Sequence, residues 1–529
     1  MNMGRMQSFT ASLRLLVFLG LACSSIRSVE GGKVLVMPVD GSHWLSMKIL
    51  VEELSQKGHE MLVLVPDVGL LLHSTGKYTT QTFKVPYSQA QMDAHIDRFK
   101  HRMTKKLSNI FEGIDRLLSF NEMQLRGCEK LLYDEPVMKS LKERGFDLML
   151  TDPVQPCGPI IAEAFSIPVV FLLRAMPCGL EQLAAQCPSL PSYVPRFLSR
   201  NSDVMTFPQR VKNILMMGFE SILCWYIYDS SDKLVSKYLQ RDTSFKEVLS
   251  HGAIWLMRYD FVFEYPRPIM PNMVTIGGIN CAKKKKPLPA DLEEFVNGSG
   301  DHGFVVFTLG SMVSELPEAK AREFFEAFRQ IPQRVLWRYT GVVPKDAPKN
   351  VKLMKWLPQN DLLAHPKAKA FITHGGTHGL YEGLCNGVPM VMIPLFGDQG
   401  DNVQRMVVRG VAESLNIFDI TSEKLLGALR KVINDKSYKE KMMKLSAIHK
   451  DRPVEPLDLA VFWTEFVMRH KGAQHLRPAA HDLNWVQYHS LDVIGFLFLV
   501  LVTFICVMLK TCQFCFRRCC RSSNKKKKE

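Results

Sequence analysis

The sequence predicts an α/β protein built from two Rossmann-like, doubly wound domains, followed by a C-terminal transmembrane helix. With 529 residues the chain is too long for one hydrophobic core, so two domains are the default. Apolar runs typical of buried strands alternate with amphipathic helical segments in both halves, beginning with KVLVMPV at 33–39 and FVVFTL at 304–309. Near the end, residues 493–509 are apolar and uncharged over a length that can cross a bilayer.

The formal net charge of +15 does not indicate a nucleic-acid partner. The segment from Lys510 onward carries a net +7 and the four lysines at 283–286 add +4, so most of the excess lies in a tail and a linker and about +4 is left for the body. Neither stretch has the interleaved aromatic residues on which bases stack. We therefore expect no nucleic-acid binding.

Both ends of the chain are predicted to carry targeting signals. A short apolar core at 15–22, preceded by basic residues and followed by small ones, predicts a signal peptide that is cleaved before Gly31. Trp485 and Tyr488 precede the C-terminal apolar run and basic residues follow it, which predicts a lumenal body and a cytosolic tail. The alternative, a buried core helix, does not explain these flanks. Lys526 and Lys527 resemble the dilysine retrieval signal of single-pass type I membrane proteins of the endoplasmic reticulum.

Two features concern covalent modification in the lumen. The sequon Asn297-Gly298-Ser299 lies in a polar loop and predicts a glycosylated Asn297. Seven lumenal cysteines have neither a C-x-x-C spacing nor the spacing of a zinc site. Disulfides are compatible with that compartment, but the spacing does not assign their pairing.

The stretch 356–402 carries the strongest functional pattern. An apolar strand at 369–373 breaks into the glycine-rich turn His374–Gly379, which opens a helix predicted at 380–385, and a second strand follows at 388–394. Such a turn presents unpaired N–H groups and a positive helix end, and this combination suits a diphosphate. Glu382 suits a ribose diol, and Trp356 offers a flat face to a base. The alternative is an ordinary strand-to-helix turn without a ligand.

W-x-P-Q at 356–359, H-x-G at 374–376, Glu382 and the D-Q pair at 398–399 together resemble the nucleotide-sugar signature of the UDP-glycosyltransferases. The resemblance is strongest to the UDP-glucuronosyltransferases. It implies a GT-B fold over roughly residues 31–475, in which an interdomain cleft separates an acceptor-binding domain from a domain that binds the UDP-sugar. The turn here reads HGGTHG where some members have HAGSHG, and Thr377 keeps the hydroxyl.

The resemblance assigns roles to the donor-site residues. It implies that uracil stacks on Trp356, that Gln359 bonds the base or ribose, and that Glu382 takes the ribose hydroxyls. Further UDP-sugar contacts are implied at Ser311, Arg338, His374, Gly376, Thr377, His378, Gly379, Asp398 and Gln399. His378 varies within the family. Arg258 is a candidate partner for a sugar carboxylate, with a surface ion pair as the alternative.

A catalytic pair is predicted in the first domain. His43 follows the strand 33–39 and precedes a helix predicted at 45–56, in the crevice where open α/β sheets bind ligands. The helix dipole there disfavours imidazolium, which leaves a neutral ring able to accept a proton. Asp152 ends the strand 146–151 at the same sheet edge, where a carboxylate can hold the imidazole. A structural histidine and a turn-capping aspartate are the alternatives, but GSHW and TDPVQPCG resemble the family's catalytic motifs.

The implied reaction is an inverting transfer of glucuronic acid from UDP-glucuronate to a lipophilic acceptor, with His43 as general base and Asp152 as its partner. The acceptors expected for the family are phenols, steroids and bilirubin-like pigments. UDP-glucuronate is a co-substrate, and we expect neither a cofactor nor a metal, since no Asp-x-Asp triplet is present. Alternatives are a UDP-glucosyl- or galactosyltransferase of the same fold and a catalytically silent membrane subunit. Family members commonly form homo- or hetero-oligomers.

We expect residues 81–140 to border the acceptor pocket and residues 177–208 to form an apolar rim over it. The predicted organisation is a signal peptide (1–30), the acceptor domain (31–280), a linker (281–290), the UDP-sugar domain (291–450), a crossing helix with a juxtamembrane segment (451–490), the transmembrane helix (491–510) and the tail (511–529).

Overall fold

The computed structural model describes residues 31–72, 76–103, 110–281 and 286–525. The predicted signal peptide, part of the linker and the lysines of the predicted retrieval signal lie outside these residues. Residues 31–476 form one compact unit and residues 477–525 belong to a second.

The first half of the larger unit contains a parallel seven-stranded sheet in the order β3-β2-β1-β4-β5-β6-β7. Its strands are β1 (Lys33–Met37), β2 (Glu60–Pro66), β3 (Thr79–Phe83), β4 (Leu148–Thr151), β5 (Val169–Leu173), β6 (Ile254–Met257) and β7 (Met273–Thr275). Its helices are α1 (Ser42–Gln56), α2 (Gln89–Met103), α3 (Ile110–Leu132), α4 (Glu135–Glu143), α5 (Cys157–Phe165), α6 (Leu180–Ala184), α7 (Phe207–Leu239) and α8 (Phe245–Ser250).

The second half contains a parallel six-stranded sheet in the order β10-β9-β8-β11-β12-β13. Its strands are β8 (Phe304–Thr308), β9 (Arg334–Arg338), β10 (Val351–Met354), β11 (Ala368–Thr373), β12 (Met390–Met392) and β13 (Ala412–Ser414). Its helices are α9 (Ala290–Asn297), α10 (Glu318–Arg329), α11 (Gln359–Ala364), α12 (Thr377–Cys385), α13 (Gln399–Val408), α14 (Ser422–Asn434) and α15 (Lys436–Lys450).

The strand register places the loops that carry predicted site residues side by side. Met37 at the end of β1 pairs with Thr151 at the end of β4, so the residues that follow both strands share one sheet edge. In the second sheet Thr308 pairs with Thr373, which places the loop after β8 beside the glycine-rich turn. Both sheets therefore present loops at the carboxyl ends of their central strands, where open α/β sheets bind ligands.

Two helices begin three residues earlier than the sequence predicts. α1 starts at Ser42, because Gly41 at φ +79° makes the turn on its own, and His43 consequently lies in the first helical turn. α12 starts at Thr377 after Gly375 takes a positive φ of 84°. Glu382 therefore lies in the second turn of this helix.

A helix that follows the second sheet packs on the first domain. α16 (Pro456–His470) contributes Ala460 and Val461 to the apolar cluster that contains Val34 and Val36 of β1. Glu465 on this helix lies 3.3 Å from the ring of His59. The chain thus returns to its first domain before its C-terminal segment.

Two disulfides among the described residues assign partners to four cysteines, which the cysteine spacing in the sequence did not. Cys128 and Cys157 join α3 to α5 inside the first domain. Cys281, at the end of the first domain, is bonded to Cys385 at the end of α12.

The unit 477–525 contains α17 (Trp485–Tyr488) and α18 (Leu491–Lys525). Within the described residues, the segment Leu491–Cys519 of α18 is the one helix long and apolar enough to span a membrane, with a mean hydropathy of 2.7 and none of it buried. This helix fits a single-pass membrane anchor.

Candidate active site

The predicted pair His43 and Asp152 is in hydrogen-bond contact. His43 Nδ1 lies 2.6 Å from Asp152 Oδ2, and the side chains are 30% and 2% exposed, respectively. The second carboxylate oxygen accepts the N–H of Val154 at 3.1 Å, and the main-chain N–H of Asp152 donates to the carbonyl of Met37. The buried carboxylate is therefore fixed on both sides and orients a partly exposed imidazole.

The loop that precedes His43 lies against the second domain. A Cβ built on Gly41 would lie 3.6 Å from the hydroxyl of Ser311 in the loop after β8. The catalytic-base candidate and a predicted diphosphate contact are thus brought to the same cleft by elements of different domains.

Trp356 and Arg338 form one wall of the candidate donor site. The Trp356 side chain is half exposed, and the Arg338 guanidinium lies 5.2 Å from its ring centroid. Arg338 also donates to the carbonyls of Gly310 and Ser311, at 2.5 and 3.2 Å. Arg338 thus stabilises the loop after β8 through hydrogen bonds and also packs on the ring of Trp356.

Three other predicted donor residues form a hydrogen-bonded chain that reaches the first domain. Gln359 donates to the buried carboxylate of Glu382. The other carboxylate oxygen lies 3.4 Å from His378 Nε2, and His378 Nδ1 lies 3.0 Å from the hydroxyl of Ser46 on α1. His378 therefore lies between the Glu382 carboxylate and α1, a position that links the two domains.

The His374 ring is enclosed by glycines. A Cβ on Gly310 or on Gly376 would come within 2.6 and 2.4 Å of the ring, so neither position accepts a side chain without displacement. Burial lowers the pKa of His374 to about 4, with Asp398 opposing the shift. The ring is consequently neutral near neutral pH, and its Nδ1 has no hydrogen-bond partner among the described residues.

Asp398 and Gln399 mark the start of α13. Asp398 accepts from the side chain of Asn402 at 2.8 Å and from the hydroxyl of Thr377 at 3.5 Å. The side-chain oxygen of Gln399 accepts the N–H groups of residues 395 and 396, so only its amino group is left for a sugar hydroxyl. Gly379 lies close to the Gln359 amide, where a Cβ would be 3.1 Å from Nε2.

Two buried arginines of the first domain approach this end of the site. Arg258 is 5% exposed and donates to the Ser46 hydroxyl at 3.0 Å, so the alternative of a surface ion pair is wrong. Burial lowers the pKa of Arg258, while Asp152 and Asp398 oppose the shift. Its Nε has no hydrogen-bond partner among the described residues.

Sequence reasoning did not identify Arg174, the second of these arginines. Its guanidinium pairs with Glu264, lies 3.7 Å from Asp398 and donates to Asn402 at 3.2 Å. Burial opposes the charge, yet the carboxylate of Glu264 raises the pKa of Arg174. Its place directly after β5, at the same edge as Asp152, is the sequence signal that points to it.

Two cavities adjoin these residues. One has an empty volume of about 890 Å³ including its open mouth, and it is lined mainly by apolar side chains from 37–41, 66–72, 83–96 and 123–127. The other is charged and contains Arg196 and Glu220. The segment 177–208 lines this charged cavity and contributes no residue to the lining of the apolar one, so its role as an apolar rim stays a prediction. Asn297 of the sequon is exposed at the end of α9.

Two facing Rossmann-like domains, with a histidine–aspartate pair in one and a glycine-rich turn in the other, define a GT-B glycosyltransferase. The family profile described as "UDP-glucoronosyl and UDP-glucosyl transferase" matches residues 32–527. This chain therefore belongs to that family, whose members are glycosyltransferases.

Two relatives agree with this assignment, and a solved structure agrees with the fold. The chain is 56% identical to a UDP-glucuronosyltransferase of Pleuronectes platessa over 88% of this chain and 100% of the relative. It is 53% identical to UDP-glucuronosyltransferase 1A1 of Homo sapiens over 94% of each chain. The structure of Os79 from O. sativa, in complex with U2F and trichothecene, matches with a TM-score of 0.56 at 14% identity, over 82% of this chain and 99% of that one.

Proposed function

We propose that this protein transfers the glucuronosyl group of UDP-glucuronate to hydroxyl and similar nucleophilic groups of lipophilic small molecules. The contact between His43 and Asp152, at the cleft edge that meets Ser311, is the observation that carries the proposal. The names of the two relatives support the glucuronosyl donor. The apolar cavity in the first domain supports a lipophilic acceptor.

The proposed chemistry is a direct displacement. Asp152 accepts the Nδ1–H of His43, which leaves Nε2 as the basic nitrogen. Nε2 takes the proton of the acceptor hydroxyl while the oxygen attacks the anomeric carbon from the face opposite UDP. The bond from that carbon to the diphosphate breaks, so an α-linked donor gives a β-linked product. General-base assistance of this kind contributes about 10²–10⁴ in rate.

The donor is held by the second domain in this proposal. Uracil stacks on the exposed face of Trp356, and Gln359 and Glu382 bond the ribose. The diphosphate lies against Ser311, Thr377 and the N–H groups that open α12, and neutral His374 adds a hydrogen bond. Because the positive helix end meets the leaving-group charge, the proposal needs no metal or cofactor for the chemical step.

Recognition of the sugar is assigned to three groups. Asp398 and the amino group of Gln399 take sugar hydroxyls. Arg258 takes the glucuronate carboxylate, and its buried Nε, which has no hydrogen-bond partner among the described residues, supports this assignment. A hexose donor lacks this carboxylate and would leave the buried Nε of Arg258 without a partner.

We further propose that the catalytic body is lumenal in the endoplasmic reticulum, carries a glycan at Asn297 and forms oligomers with like or related chains. The apolar helix Leu491–Cys519 supports the anchor. An exposed Asn297 supports the glycan.

The test uses detergent-permeabilised microsomes that carry the protein. They are incubated with UDP-glucuronate, UDP-glucose or UDP-galactose and a panel of phenols, and the products are weighed by mass spectrometry. Products heavier by one glucuronosyl unit are expected. Hexose conjugates instead would support the alternative donor and overturn the assignment.

A pair of variants tests the residue assignment. His43→Ala should abolish O-conjugation and leave UDP binding unchanged, because the base belongs to the acceptor domain. His302→Ala, which changes an exposed histidine, should leave both unchanged. Retained turnover in His43→Ala would remove the assignment of the base.

A further inference from the structure

The apolar cavity of the first domain contains few polar groups. Its walls come from the end of β1, the segment after β2, β3, α2 and α3, and Met312 of the second domain lines it as well. The polar side chains at its surface are Asp40, Tyr87, His95, Gln124 and Gln155. A lipophilic molecule in this cavity would therefore meet a small number of hydrogen-bonding partners.

Asp40 and His95 already take part in interactions within the protein. The Asp40 carboxylate accepts three main-chain N–H groups, from Gly41 at 2.6 Å, Leu70 at 2.6 Å and Leu71 at 2.9 Å. The carboxylate thus stabilises the cavity wall. With three N–H groups bound, it has little capacity left to accept a hydrogen bond from a ligand. His95 is engaged in an interaction of its own.

Gln155 differs from these residues. It is 7% exposed and lies three residues after Asp152, to whose carbonyl its main-chain N–H donates at 3.0 Å. The turn that carries the catalytic carboxylate therefore also fixes the backbone of Gln155. Its side-chain oxygen is buried and has no hydrogen-bond partner among the described residues.

An unpaired buried amide oxygen destabilises a folded protein, because the hydrogen bond it made to water is lost without replacement. Such a group at the wall of an apolar cavity is satisfied when a ligand supplies the partner. A half-turn of the amide exchanges its oxygen and nitrogen, so the same side chain can accept from a hydroxyl or donate to a carbonyl. The apolar side chains of the wall supply contact without direction.

We propose that Gln155 is a specificity-determining residue for the acceptor: its amide hydrogen-bonds a second polar group on a lipophilic acceptor and so favours that acceptor over its apolar analogue. The second group is distinct from the hydroxyl that reacts at His43. The substrate class is thus an apolar skeleton with two polar substituents. This inference rests on the proposed glucuronosyl transfer and adds a selection rule to it.

Two phenols of one skeleton test the rule: 4-phenylphenol with either a carboxamide or an isopropyl group at the far para position. The two substituents are similar in size, but only the carboxamide hydrogen-bonds. The ratio of kcat/KM for the carboxamide to that for the isopropyl compound is measured with UDP-glucuronate. Gln155→Met should lower this ratio about tenfold, since a site built to bond a polar group discriminates through that bond.

Gln330→Met makes the same change at an exposed position at the end of α10, outside the cavity, and should leave the ratio within about twofold of wild type. An equal fall in both variants would overturn the proposal, as would a Gln155→Met variant that lowers both substrates alike. If wild-type protein conjugates neither phenol, the proposed transfer to such acceptors fails and the Gln155 inference falls with it. If both are conjugated and the ratio does not move, only the Gln155 inference fails.

The thermal unfolding of the acceptor-free protein gives a second test, which does not depend on substrate binding. Without acceptor, Gln155→Met should unfold at a temperature equal to or higher than wild type, because it removes an unsatisfied buried polar group. A clear fall in this temperature would show that the amide is already paired in the free protein, and would overturn the inference even if the variant is inactive.

Discussion

Replacing His374 by glutamine should remove a defined part of the pH dependence of stability. Burial lowers the pKa of this imidazole from 6.5 to about 4 in the folded protein. The unfolded chain therefore binds the proton more readily than the folded one, and stability is present above the unfolded pKa and lost as pH falls toward the folded pKa. The full difference is about 3 kcal/mol, of which about 2 kcal/mol is lost between roughly pH 8 and pH 5.

The glutamine side chain cannot take up that proton, so the comparison of the two proteins isolates the imidazole. Relative to His374→Gln, the wild-type free energy of unfolding should fall by about 2 kcal/mol over this pH interval. Urea denaturation in detergent, followed by pulse-labelling mass spectrometry of peptides from β8 and β11, reports the domain that contains the ring. His302→Gln, at an exposed position, should show no such difference. A pH-independent difference between wild type and His374→Gln would refute the lowered pKa assigned to this imidazole.

Three further predictions concern the base, the donor and the fold. Asp152→Asn should lower kcat by about 10²-fold or more, with UDP affinity unchanged by calorimetry; a loss confined to UDP binding would contradict its role beside His43. Trp356→Ala should raise the Kd of UDP by about tenfold or more, because stacking on an aromatic contributes about 1–3 kcal/mol per base, and an unchanged Kd would place uracil elsewhere. Cys281→Ser with Cys385→Ser should lower stability by about 2–4 kcal/mol under oxidising conditions; equal thermal unfolding of variant and wild type would show that the bond does not constrain the unfolded chain.

The features that the sequence predicted are those set by local chemistry and by strand order. The glycine-rich turn is visible because glycine recurs in it, and the structure gives a reason at Gly376, where a Cβ would come within 2.4 Å of the His374 ring. The contact between His43 and Asp152 follows from parallel strands, whose carboxyl ends share one sheet edge.

What the sequence did not predict depends on tertiary packing or on weak local signals. β3 reads TTQTF at 79–83 and is mostly exposed, so it lacks the apolar run by which the other strands are recognised. Arg174 and Asp398 are in contact although more than two hundred residues separate them in the sequence. Nothing in the local sequence of either residue indicates this pairing. The two disulfides join residues whose spacing is compatible with many pairings.

Chemical rescue of a base-deleted enzyme tests most directly whether His43 is the general base. His43→Gly should lower kcat by about 10²–10⁴ and leave UDP binding intact, and free imidazole in the assay should restore turnover in proportion to its concentration. Full activity in His43→Gly, or a loss that imidazole does not relieve while UDP remains bound, would contradict the assignment.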